Sequence, residues 1–82
     1  MEKTYQYTVI FEQDEDGIYV VDVPALPGCH SEGRTLKEAE KNIREAILCY
    51  LEGLQVVGEE IPIEQPTRLP LAKAIQVSLS TV

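Results

Sequence analysis

Between Thr35 and Leu54 the residues Leu36, Ala39, Ile43, Ala46, Ile47, Tyr50, Leu51 and Leu54 recur at helical spacing along one stripe. A helix with one apolar stripe has to bury it against another element, and the chain offers no second helix for the purpose. The rest must therefore supply a sheet. The start of the helix is marked as well. Thr35 and Glu38 have capping-box spacing, in which the hydroxyl accepts from a backbone N–H one turn on and the carboxylate reaches back. Gly53 to Gly58 bounds the other end, where glycine can take a left-handed cap.

The sheet is found on both sides of the helix. From Thr4 to Glu12 the chain alternates, with Tyr5, Tyr7, Val9 and Phe11 on one face and Gln6, Thr8 and Ile10 on the other. Asp14-Glu15-Asp16-Gly17 reads as the turn of a hairpin. Ile18 to Val23 returns as a second strand, apolar on both faces and so placed inside the sheet. Pro24-Ala25-Leu26-Pro27-Gly28 turns the chain again, and Cys29 to Glu32 is a short third extended piece before Gly33. After the helix, Pro62, Pro66 and Pro70 forbid further helix and discourage a central strand. That segment reads as an extended crossing held by Ile61, Ile63 and Leu69. Ala74 to Val82 alternates again as the last strand. The resulting class is α+β, a single β-β-β-α-β domain with its helix on one sheet face. Residues Val9, Phe11, Tyr19 and Val21 are the expected partners of the helix.

Several of these segments together resemble a known family. Val23-Pro24-Ala25-Leu26-Pro27-Gly28-Cys29, Gly33-Arg34-Thr35-Leu36-Lys37-Glu38-Ala39, Ala46-Ile47, Tyr50-Leu51-Glu52-Gly53-Leu54 and Gly58-Glu59-Glu60-Ile61-Pro62 are similar, in order and spacing, to HicB-like antitoxins. With the hairpin, the similarity extends over nearly the whole chain. It implies a partial ribonuclease-H-like fold with sheet order 3-2-1-4 and the last strand parallel to the first. It also implies a partner, a small basic messenger-RNA-cleaving toxin of the HicA type. Many HicB-like proteins carry a C-terminal DNA-binding domain. This chain is read as one antitoxin domain over residues 1–82, with no room for helix-turn-helix after it, which puts repression of its own operon in doubt.

Charge bears on the partner. The net charge is −7, and residues 1–32 hold Glu2, Glu12, Asp14, Glu15, Asp16, Asp22 and Glu32 against Lys3 alone. Such a field repels nucleic acid, whose binding needs phosphates neutralised by Lys and Arg, and attracts a basic protein. The expected partner-binding residues are Glu12, Asp14, Glu15, Asp16 and Asp22. Acidic loops also keep small proteins soluble, so charge alone leaves both readings open. On the sheet face away from the helix, Thr8, Ile10, Ile18, Val20, Gln76 and Ser78 should be uncovered. Its apolar centre, with Leu48 off the main helix stripe, suggests a homo-oligomer interface of Ile10, Ile18, Val20 and Leu48.

Other classes fit poorly. A two-metal nuclease needs several acids converging on one site. The first strand has none between Tyr5 and Phe11, and Ala74 to Val82 has none. Cys29 and His30 are adjacent, so on an extended segment they face opposite ways, unlike a nucleophile and its base. Cys29 reads as a core residue, His30 as a surface one and Cys49 as a helix-flank residue. The two cysteines have no metal-ligand spacing and are too few for a disulfide framework. No phosphate loop, membrane span or signal-peptide segment is present in the sequence. The expectation is a cytoplasmic non-enzyme, with no cofactor, metal, nucleic acid or membrane among its partners. The alternative is an orphan oligomeric interaction domain without a toxin.

Overall fold

The structure, a computed structural model, describes residues 2–63 and 72–80. Five elements follow one another: β1 (Glu2–Gln13), β2 (Tyr19–Asp22), β3 (His30–Gly33), α1 (Leu36–Val57) and β4 (Ala72–Ser80). The four strands form one sheet in the order β3-β2-β1-β4. The central strand β1 is long enough to serve two sets of partners. Its Ile10–Gln13 end pairs with β2, and Glu2–Ile10 pairs with β4.

Every pairing in this sheet is antiparallel, including β1 with β4. This corrects the parallel arrangement implied by the family resemblance. The reason lies in the connection. Helix α1 starts beside Gly33, level with the Gln13 end of β1, and descends about 33 Å towards the Glu2 end. A short link from there would give a parallel strand. Instead Pro62 lies at Tyr7, whose hydroxyl donates to the Pro62 carbonyl at 2.7 Å. Ala72 then enters opposite Ile10, and β4 descends.

The core lies between helix and sheet. Tyr7, Val9, Val21, Val23, Leu26, Cys29, Ala39, Ile43, Ile47, Leu51, Ile75 and Val77 are buried, and Tyr5, Phe11 and Tyr19 pack against them. Two apolar residues, one from the helix stripe and one from the crossing, depart from expectation. Leu36 is 51% exposed, since it opens the helix before Ala39 reaches the strand end at Gly33. Ile63 is 85% exposed and does not hold the crossing down; Ile61 and the Tyr7 hydroxyl do. Leu69 lies outside the described residues.

The caps work as their residue types dictate. Thr35 Oγ1 accepts from the Glu38 amide at 3.0 Å, and Glu38 Oε1 accepts from the Arg34 amide at 3.2 Å. Gly58 closes the helix at φ 74°, in the left-handed region. Gly53 lies within the helix rather than ending it.

The helix also grips both edges of the sheet. Asp14 N–H donates to the Ile18 carbonyl, which sets the hydrogen-bonding phase of the hairpin. Carried across the registers, that phase turns the Glu32 carbonyl out of the β3 edge and the Gln76 carbonyl out of the β4 edge. Asn42 Nδ2 donates to Glu32 O at 2.8 Å, and Arg44 Nη1 donates to Gln76 O at 2.7 Å. Two residues of one helix, two positions apart, thus occupy acceptors on opposite edges.

Candidate functional site

Directly paired residues share a face, so the registers define what the face away from the helix carries. At the hairpin end, three strands lie side by side. One row reads Glu12, Val20, Glu32, and the next reads Ile10, Asp22, His30. Their alternates Phe11, Val21 and Ser31 point to the helix. The three carboxylates are exposed, and Ile10 and Val20 are half-buried. Further down the face, Thr8, Gln6 and Thr4 stand beside Ala74, Gln76 and Ser78, six uncharged residues, of which Thr8 is buried rather than uncovered as expected.

The hairpin tip extends the acidic region, but its carboxylates are not alike. Asp14 Oδ1 accepts from the backbone amides of Asp16 and Ile18, both at 2.9 Å, and so builds the turn. Gly17 completes it at φ 83°. Glu15 and Asp16 are exposed, and the turn amides are held by the Asp14 carboxylate rather than by theirs.

The structure therefore brings Glu12 and Asp22 together on one face with Ile10 and Val20, and sets Asp14, Glu15 and Asp16 at its end. Glu32 belongs to the same frame. It could have been found by pairing the third strand with the second, but that register was not readable from the sequence. Of the other two proposed interface residues, Leu48 stands apart, whereas Ile18 lies two positions before Val20. Ile18 precedes β2 and lines a shallow cleft of about 420 Å³ with Glu32, Gly33, Arg34, Glu38 and Asn42. Leu48 lies on the helix, across the sheet from Ile10 and Val20, half-buried against the core. Among the described residues, the large apolar side chains most open to solvent are elsewhere: Val56 at 86%, Ile63 at 85% and Val57 at 68%.

The possible nucleophiles are separated by burial. Cys29 is buried, its thiol pushed up by that burial and, secondarily, by Cys49. His30 and Cys49 are exposed. Among the described residues no three His, Cys, Asp or Glu side chains are grouped to hold a metal ion, and no helix is long and apolar enough to cross a membrane.

Residues 7–76 match the family described as HicB_like antitoxin of bacterial toxin–antitoxin system. This chain belongs to the HicB-like antitoxin family. A UPF0150 protein of Thermoplasma acidophilum is 60% identical over 57 residues, which is 70% of this chain and 83% of the relative. The crystal structure of the N-terminal domain of Burkholderia pseudomallei antitoxin HicB superposes with a TM-score of 0.69 at 31% identity, covering 94% of this chain and 98% of that one. The longer Burkholderia pseudomallei antitoxin HicB gives 0.68 at 32% identity, with 93% of this chain and 62% of that chain covered. The expected sheet order and single-helix architecture are those of a HicB-like domain, and this chain has both.

Proposed function

We propose that this HicB-like chain binds and neutralises a small, basic, messenger-RNA-cleaving toxin of the HicA type, by covering the toxin's RNA-binding and active face. Family membership supports an antitoxin role. The observation that carries the rest is the placement of charge: Glu12, Asp22 and Glu32 on one sheet face, with Glu15 and Asp16 beyond its end. A surface of that sign complements a face built to hold RNA and screens it from phosphate. The toxin's substrate places the encounter in the cytoplasm. The chain's own part is binding rather than catalysis.

Co-expression tests the reading. A HicA-type toxin from the same genome should arrest growth when produced alone and be silenced, and co-purify, when this chain is present. Continued arrest with no complex would refute it. The second reading, an orphan chain that assembles with itself, is favoured by the exposed Val56, Val57 and Ile63 near the end of the helix. Sedimentation over a range of concentration decides it: a chain that remains monomeric when concentrated removes the second reading.

A further inference from the structure

We propose that the helix-free sheet face at the hairpin end, centred on Ile10 and Val20 inside a frame of Glu12, Asp22 and Glu32, is the docking surface for an arginine- and lysine-rich protein. The inference rests on the antitoxin reading and adds where contact is made.

Two features meet there. Ile10 and Val20 lie diagonally across the β1–β2 ladder, so their side chains touch the same small area. Glu12 and Glu32 flank Val20 on either side, and Asp22 stands between Ile10 and His30. All three carboxylates are exposed, and no Lys or Arg shares the two rows. An arginine suits such a surface on both counts. Its fork binds a carboxylate in bidentate fashion, while its methylene stem covers apolar carbon.

Charge also selects against other occupants. A second copy docked through this face by a two-fold axis would bring three carboxylates against three. Like charges apposed at an interface cost several kcal/mol, and no Lys or Arg within the two rows offsets them, the nearest one among the described residues being Arg34 beside Glu32. Nucleic acid is repelled for the same reason. Glu12, Asp22 and Glu32 therefore convert a patch that could self-associate into one that prefers a basic partner. The two rows are too small to form an interface alone, since stable complexes bury about 800 Å² per partner. The footprint must extend onto the tip at Glu15 and Asp16 or onto the neutral surface around Ala74.

The test uses a HicA-type toxin from the same genome, and measures affinity with an inactive variant of it and neutralisation with the active toxin, for the intact chain. The double variant Asp22→Lys, Glu32→Lys should weaken binding by about 100-fold, as expected when charge pairs at the centre of an interface are reversed. Glu45→Lys, Glu52→Lys makes the same change in net charge on exposed helix positions. It should leave affinity within about threefold, because outlying charges act mainly on association rate. Asp22→Asn, Glu32→Gln keeps side-chain size and should still weaken binding, which separates lost contact from lost folding. A sheet-face pair that binds as well as wild type, or two lysine pairs that weaken binding equally, would overturn the proposed surface while wild-type neutralisation upheld the antitoxin role. A wild type that does not bind at all would overturn both.

Discussion

At the scale of single residues, similar side chains differ sharply in what they do. Asp14 resembles its neighbours Glu15 and Asp16 in the sequence, yet its carboxylate holds two turn amides. Asp14→Ala should cost about 1–3 kcal/mol in denaturant unfolding, as hydrogen bonds to a charged group do, while Glu15→Ala should stay within about 0.5 kcal/mol. Gly33 and Gly53 differ in the same way. A Cβ on Gly33 would meet the Ala39 backbone nitrogen at 2.5 Å, whereas one on Gly53 meets nothing within 4 Å. Gly33→Ala should therefore destabilise by about 1–3 kcal/mol through overpacking, and Gly53→Ala should stabilise the helix by about 0.5–1 kcal/mol. Thermal melts of the two variants should move in opposite directions. Cys29 adds a pH effect. Burial raises its folded pKa, so its contribution to stability is complete below the unfolded thiol value of about 8.5 and is lost as pH rises towards the folded value. Stability should fall above that pH, and Cys29→Ala should flatten the decline; an unchanged slope would place its origin elsewhere.

At the scale of elements, helix α1 does more than cover the core. An edge strand with free carbonyls and N–H groups invites another chain to pair with it. Asn42 and Arg44 occupy one outward carbonyl on each edge of this sheet. Their residue types suit the task, since both donate through side chains long enough to reach beyond the helix flank. The Glu40–Arg44 ion pair at 3.7 Å helps to orient the guanidinium, although an exposed pair of this kind adds little stability by itself. Asn42→Ala combined with Arg44→Ala should leave the helix content intact and increase association through the edges, seen as larger particles in sedimentation. Unchanged particle size would mean that other features guard the edges.

At the scale of the whole molecule, shape and charge are linked. The long β1 helps stretch the molecule to 42 Å in its greatest dimension, and the acidic hairpin lies at one end. If a basic toxin is the partner, that end should steer its approach. Glu15→Lys with Asp16→Lys should slow association at low salt and matter less at high salt, because exposed charges are screened within about 8 Å at physiological ionic strength. Asp14 is excluded from this reversal because it builds the turn. Association indifferent to both charge and salt would shift the contact to the apolar centre of the face.

The sequence by itself determined the class and order of the elements, the helix stripe, its Thr35 cap and the hairpin. These rest on local periodicity and on residues whose backbone preferences act within a few positions. Sheet order came with the family resemblance, not from any spacing. Only the tertiary structure decided the direction of β4, because that depends on where the chain re-enters the sheet after the helix, which local backbone preferences do not set. Tertiary structure also decided that Glu32 joins Glu12 and Asp22, that Leu48 stands apart from Ile10 and Val20, and that Asp14 serves the turn. A side chain's face is set by alternation along its own strand. Its neighbours are set by register between strands, which is fixed by contacts far apart in the chain.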